Sequence, residues 1–369
     1  MSQPIRSRRQ FLSNVAGAGA AMTLNPLSAW FTQDVDPRVA AIVTGTIGID
    51  THNHIDVPWA AAEVPGPRLD LAGELKRSGL SAICMTFAID YQKLTQPGEA
   101  YDHFQNELAS MDAQLVNNNM KRSLNLADLR AAHKKHQPTV IQSVEGAHFL
   151  EGKLERVGIA YGRGLRHFGL LHDSDASVPL GDVYTNPPRW GGLTAFGADV
   201  IRECDKLGIL IDLAHANTET TAAALKVTKH PVIVSHTGLD TRLGSDAKMA
   251  DMMRPRLISK EQAKLVADAG GVIGVWTHLA DSPLEYAQNI RALVDVIGVE
   301  HVAIGTDTKL TPGNGGFGGR TNQAWKDQKT GFYFAVVDAM LKTGFTAAEI
   351  GKIGGGNYCR IFDAATSGH

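Results

Sequence analysis

The chain has 369 residues, 43% of them hydrophobic and 20% charged, which is an ordinary globular composition with ample material for a core. A formal net charge of -2 excludes the basic surplus of an electrostatic nucleic-acid binder. The three cysteines, Cys84, Cys204 and Cys359, are too few and too scattered for a disulfide framework and read as packed thiols.

In chain order, the N-terminus comes first. Arg6, Arg8 and Arg9 precede Phe11 and Leu12, and a small-residue apolar stretch runs from Val15 to Leu24. The run Ser7-Arg8-Arg9-Gln10-Phe11-Leu12 resembles a twin-arginine export signal, with Leu27-Ser28-Ala29 as its cleavage site. The expectation is a signal over 1–29, one catalytic domain over 30–369, and a periplasmic or extracellular location. The apolar stretch is too short for a membrane span, and no later segment qualifies.

Eight apolar, β-rich runs follow: Ile47–Asp56, Leu80–Ile89, Thr139–Glu145, Leu165–His172, Ile209–His215, Val232–His236, Gly271–Thr277 and Val302–Asp307. Most are near-continuously apolar, as strands buried on both faces are. Helical patterns fill the gaps: Glu99–Asn117, Leu193–Leu207, Thr218–Lys226 after a capping Asn217, Ser259–Ala269 with a capping-box pattern of Ser259 and Gln262, Ser282–Ile297, Gly331–Lys342 and Ala347–Ile353. Strand and helix alternating through eight rounds predict a (β/α)8 TIM barrel of the metallo-dependent hydrolase type. The glycine-rich segment Thr311–Arg320 after the eighth strand is either a candidate lid or a simple insertion.

Six of the runs end on residue types that ligate metals. His54 and Asp56 end the first, and His52 shares their parity, so His52-Asn53-His54 is a rival pair. Glu145 ends the third run and could bridge two cations through its two oxygens. His215 and His236 end the fifth and sixth, and Asp307 ends the eighth. His172 ends the fourth, where it could be a ligand, a general acid or an oxyanion stabiliser, with Asp173 and Asp175 beside it. In a parallel barrel these strand ends converge on one face. Burying so many histidines and acids together is costly unless they pair or bind metal, and two cations account for all of them.

At these residues the chain resembles the membrane dipeptidase (renal dipeptidase) family of zinc peptidases, from about Ile49 to Phe362. His54-Ile55-Asp56-Val57-Pro58 is similar to the family's His-x-Asp-x-Pro opening, and Glu145-Gly146-Ala147-His148 to its Glu-Gly-Gly-His. Gly208–His215, Pro231–His236 and Gly356–Phe362 resemble further family segments in the expected order. The resemblance implies two zinc ions, one held by His54 and Asp56, the other by His215 and His236, with Glu145 bridging. It implies a bridging hydroxide attacking a peptide carbonyl, His172 stabilising the oxyanion, Arg256 binding the substrate carboxylate, and Asp307 passing a proton to the leaving amine. Four departures surround the substrate: His52, in an opening aligned as two residues longer than the family's Asp-Gly-His-Asn-Asp; Lys309, where the family has an acid; His278, where it often has a tyrosine; and Arg254, a competitor of Arg256.

The expected function is that of an exported binuclear zinc dipeptidase acting on small dipeptides, with a D-residue tolerated at the second position. The alternative is a metal-dependent hydrolase of the same fold acting on esters, lactones, phosphotriesters or N-acyl amino acids. A homodimer stays open.

Overall fold

Val, Ile, Ala and Gly dominate the expected strand cores, and such runs are stable only where both faces are covered. In the computed structural model they form a closed ring. It describes residues 35–312 and 319–368; the expected export signal over 1–29 and the centre of the Thr311–Arg320 loop lie outside the described residues. The chain divides into two units, 1–36 and 37–369, of which the second carries the fold described below.

The order is α1 (Pro37–Gly45), β1 (Ile49–His54), α2 (Leu71–Ser78), β2 (Ala82–Thr86), α3 (Glu99–Asn117), α4 (Leu126–Lys134), β3 (Thr139–Val144), α5 (Glu155–Gly162), β4 (Leu165–Gly169), α6 (Ala195–Leu207), β5 (Leu210–Asp212), α7 (Thr218–Ala224), β6 (Ile233–Thr237), α8 (Ala247–Met253), α9 (Lys260–Asp268), β7 (Val272–Val275), α10 (Pro283–Ile297), β8 (Val302–Ile304), β9 (Thr308–Lys309), α11 (Phe332–Lys342), α12 (Ala347–Gly351) and α13 (Asn357–Thr366). Each of β1 to β8 pairs in parallel with the next, and β1 pairs with β8, which closes a (β/α)8 barrel.

Two irregularities aim the site. The fifth run stops as a strand at Asp212, because Asp212 Oδ1 accepts from the backbone N–H groups of Ala214 and Ser235, each at 2.9 Å. The chain then turns through His215, which adopts a left-handed φ of 68°. The eighth run breaks at Asp307, also left-handed with φ 54°, and resumes as β9 against the tip of β1. Two glycines, one in β7 and one just after β8, let the backbone of β6 approach closely beside this break. A Cβ on Gly305 would sit 1.8 Å from the Ser235 carbonyl oxygen, and one on Gly274 1.9 Å from it, so only glycine lets these strands pack here.

The end of the barrel opposite the strand tips is plugged. Ile49, Ala82, Cys84, Ile141, Leu210, Ile233, Val272 and Ala303 pack there against Tyr358, Ile361, Phe362 and Ala365 of α13. All three cysteines are free thiols, with Cys84 and Cys204 buried.

Helix boundaries follow their caps. Thr194, not Leu193, opens α6 by accepting from Gly197 N. Asn217 caps α7 through Thr220 N at 2.8 Å. Ser259 caps α9, but the expected reciprocal capping box is absent: the Gln262 side chain donates instead to the Ala216 carbonyl and to Thr221 Oγ1. Among the described residues no helix is long and apolar enough to cross a membrane.

Candidate metal centre

Alternate residues of a strand share a face, and on β1 that places His52 and His54 together over the barrel mouth. Their Nε2 atoms are 3.1 Å apart. On the far side, His215 from the turn after β5 and His236 from β6 bring their Nε2 atoms to 3.1 Å of each other. Glu145, immediately after β3, lies between the two pairs. Its Oε1 is 2.8 Å from His215 Nε2 and 3.5 Å from both His236 and His52 Nε2. Its Oε2 is 3.6 Å from His54 Nε2 and 3.5 Å from His172 Nε2, and it is buried without a hydrogen-bond partner.

The far sides of the rings are held. Ser235 Oγ lies 3.0 Å from His236 Nδ1 and 3.3 Å from His52 Nδ1, so one hydroxyl orients an imidazole from each pair. His215 Nδ1 meets the Tyr184 hydroxyl at 2.8 Å and Asp173 Oδ1 at 3.1 Å. His172 Nδ1 contacts Asp90 Oδ1 in a short hydrogen bond, and Asp90 Oδ2 also accepts from Ser174 N at 3.2 Å. Asp307 sets its Oδ1 3.2 Å from His54 Nε2 and its Oδ2 2.7 Å from His278 Nε2. Beneath, Asp50 braces the break in the eighth strand by accepting from Thr306 N at 2.8 Å and Thr306 Oγ1 at 2.6 Å.

Arg256 lines the same cavity, and its guanidinium donates to Asp173 Oδ2 at 2.5 Å. Arg254 lines a different cavity, with Asn217 and Gln262.

One expected ligand is not brought to this group. Asp56 lies beyond the end of β1, where its Oδ2 accepts from Lys309 Nζ at 2.8 Å. Asp56 lies past the pleated segment, so the parity that made it a partner of His54 no longer applies. His52, not Asp56, stands beside His54.

The electrostatics follow from this packing. Burial opposes charge on Glu145, but His172 and His52 outweigh it and hold the carboxyl well below the usual range. Burial likewise opposes charge on His52 and His215. Glu145 nonetheless pushes His52 up to about 8, and Asp173 with Glu145 pushes His215 up to about 10. His236, desolvated and facing the His52 charge, drops to about 3. His172 is raised, since Glu145 and Asp90 outweigh its burial.

The donor set fits divalent cations. Inward-facing imidazole nitrogens converge in pairs on one buried carboxylate with an unsatisfied oxygen, and His52, His54 and Asp307 on one side and Glu145, His172 and His215 on the other bring their ligand atoms within 4.8 Å of one another. Asp90, Tyr91, Asp173, Tyr184, Ser235 and His278 complete the site. The sequence signal for Asp90 is weak, an acid just past the second apolar run; Ser235 was legible only as the neighbour of His236.

Known proteins resemble this chain in sequence and in fold. A model of the family described as "Membrane dipeptidase (Peptidase family M19)" matches residues 37–368. Dipeptidase aclJ of Aspergillus oryzae is 23% identical over 234 residues, covering 61% of this chain and 52% of that relative, so the match spans about half of the relative's length. An amidohydrolase from Pseudomonas aeruginosa superposes with a TM-score of 0.72 at 20% identity, covering 89% of this chain and 99% of that one. A metallo peptidase from Rhodobacter sphaeroides, liganded with a phosphinate mimic of the dipeptide L-Ala-D-Ala, gives a TM-score of 0.65 at 17% identity over 87% of this chain and 99% of that one. These two likenesses concern the fold. With the family match running the length of the barrel and the histidine pairs gathered at its mouth, the chain is a member of the membrane dipeptidase family.

Proposed function

We propose that the protein is a dipeptidase working with two divalent cations, most simply zinc, held by His52 and His54 on one side, His215 and His236 on the other, and Glu145 between them. One observation carries this reading: two convergent imidazole pairs share a single buried carboxylate whose second oxygen has no partner. Bound cations of this kind supply a Lewis acid for a carbonyl oxygen and lower the pKa of water.

The chain's own groups do the rest. Arg256, on the cavity wall with N–H groups beyond the one given to Asp173, binds the terminal carboxylate of a dipeptide and sets its register. His172, whose pKa Glu145 and Asp90 raise against its burial, presents Nε2–H to the oxygen that gains charge as the carbonyl is attacked. Asp307, with one oxygen held by His278 and the other facing His54, carries a proton to the leaving amine.

The D-residue tolerance rests on the resemblance and on the L-Ala-D-Ala mimic in the Rhodobacter sphaeroides relative. Export by the twin-arginine route, with the mature domain over 30–369, rests on Arg8 and Arg9 ahead of the apolar stretch. Cell fractionation of an Arg8→Lys, Arg9→Lys double variant tests it; unchanged export rejects that route.

The activity is tested by release of free amino acids from L,L and L,D dipeptides, with and without chelator. Release that chelator abolishes is the expected result. No release from protein carrying its full metal rejects dipeptidase activity. An Arg256→Ala variant should lose carboxylate-bearing substrates; a hydrolase of simple esters or lactones would be indifferent to that change.

A further inference from the structure

Beside the metal centre lies a second cavity of about 560 Å³ whose walls include Asp56, Trp59, His103, Glu107 and Lys309. It adjoins the first cavity at His54 and Tyr91, which line both. Arg256 lines only the first. A dipeptide with its carboxylate at Arg256 and its peptide bond at the histidine pairs therefore leaves its first residue at His54, facing the mouth of the second cavity.

Of the two acids in this cavity one is matched and the other is not, and burial holds the second well above the usual carboxyl range. Asp56 is matched by Lys309 at 2.8 Å. Glu107, on α3, is 7% exposed, and its Oε2 is buried with no hydrogen-bond partner; among the described residues nothing forms an ion pair with it. Burying a carboxyl without a partner is costly, since the group loses its water and gains nothing in return. A cation supplied by a ligand would complete it. The cavity also offers an aromatic wall: the Trp59 indole packs against His103, ring centroids 4.5 Å apart, and such rings favour a neighbouring ammonium or guanidinium.

We propose that this second cavity receives the side chain of the substrate's first residue and selects a cationic one, lysine or arginine, with Glu107 as its counter-ion. The proposal rests on the dipeptidase reading above and narrows it to a substrate class.

The test uses the full-length, metal-loaded protein and the dipeptides Lys-Ala, Arg-Ala, norleucyl-Ala and Ala-Ala. Norleucine keeps the length of lysine without its charge. The expected result is a kcat/KM for Lys-Ala at least about tenfold above norleucyl-Ala, the scale of one charge-assisted hydrogen bond, expressed mainly in KM. In a Glu107→Gln variant, shown to be folded by its Tm, that ratio should shrink to within about threefold. If wild type cleaves Ala-Ala yet handles norleucyl-Ala as well as Lys-Ala, the subsite proposal is overturned and the dipeptidase reading stands, whatever the variant does. If no dipeptide is cleaved, the dipeptidase reading falls, and calorimetric titration with lysine amide against norleucine amide decides the subsite by itself: preference for lysine amide supports it, and equal or absent binding overturns it.

Discussion

The Lys309 ammonium lies 2.8 Å from the Asp56 carboxylate, just outside the ring of histidines. That ion pair engages one oxygen of Asp56 away from the histidines and gives Lys309 an acid partner of its own. It also leaves the β1 side of the centre with two imidazoles, where the family pattern has an imidazole and a carboxylate. The site thus carries one fewer negative charge than that pattern implies.

The two possible ligand sets of β1 differ in metal content. His54→Ala should lose one of two ions per chain, because the paired Nε2 atoms of His52 and His54 are split. Asp56→Ala should keep both. Metal analysis of the purified variants decides it; loss of an ion on changing Asp56 would restore the His-x-Asp assignment.

Ser235 should matter to both halves of the centre at once. Removing the hydroxyl in Ser235→Ala frees the Nδ1 sides of His52 and His236. Outer hydrogen bonds of this kind govern metal affinity by about 10–100-fold. A competition titration with a chromophoric chelator should show weakening in that range, with little change in Tm of the metal-free protein.

Metal uptake should release protons in a pH-dependent number. Without cations, His52 (about 8) and His215 (about 10) both hold protons at pH 7. Cation binding requires neutral rings, so the number of protons released should fall by about one between pH 7 and pH 9, where His52 has already lost its own. The apparent affinity therefore rises as pH rises through this range. Calorimetry in buffers of different ionisation enthalpy counts the protons, and a count that did not change between these two pH values would contradict the charge assignment.

Backbone packing gives a prediction free of the metals. Gly305→Ala would place a methyl group 1.8 Å from the Ser235 carbonyl oxygen and should cost about 1–3 kcal/mol or more, because strand backbone must move. Gly45→Ala, at the end of α1 with nothing within 4 Å of the added atom, should be close to neutral. Urea denaturation of the two variants provides the comparison; equal midpoints would show that the strands yield more easily than this packing implies.

Much of this molecule was legible because its strands are apolar on both faces. That property marks eight runs without reference to partners, and their polar last residues pick out Glu145, His172, His215, His236 and Asp307. The same reasoning failed at Asp56. Period-two parity holds only while the chain stays pleated, and β1 ends at His54. Asp90 and Tyr91 were out of reach for a different reason. They follow β2 in a short irregular stretch, and only the closing of the ring carries them to His172 and His54. The short helices α2 and α4 also went unmarked, although Asp70 and Asn125 cap them, because so few turns give a weak apolar period.

The plug of the barrel has a consequence for how the protein comes to exist. Tyr358 and Phe362 belong to α13, which is translated after all eight staves. A nascent chain halted before them would hold a barrel open at its foot, with the apolar ends of its strands wetted, so completion of this cylinder waits until α13 itself has been made.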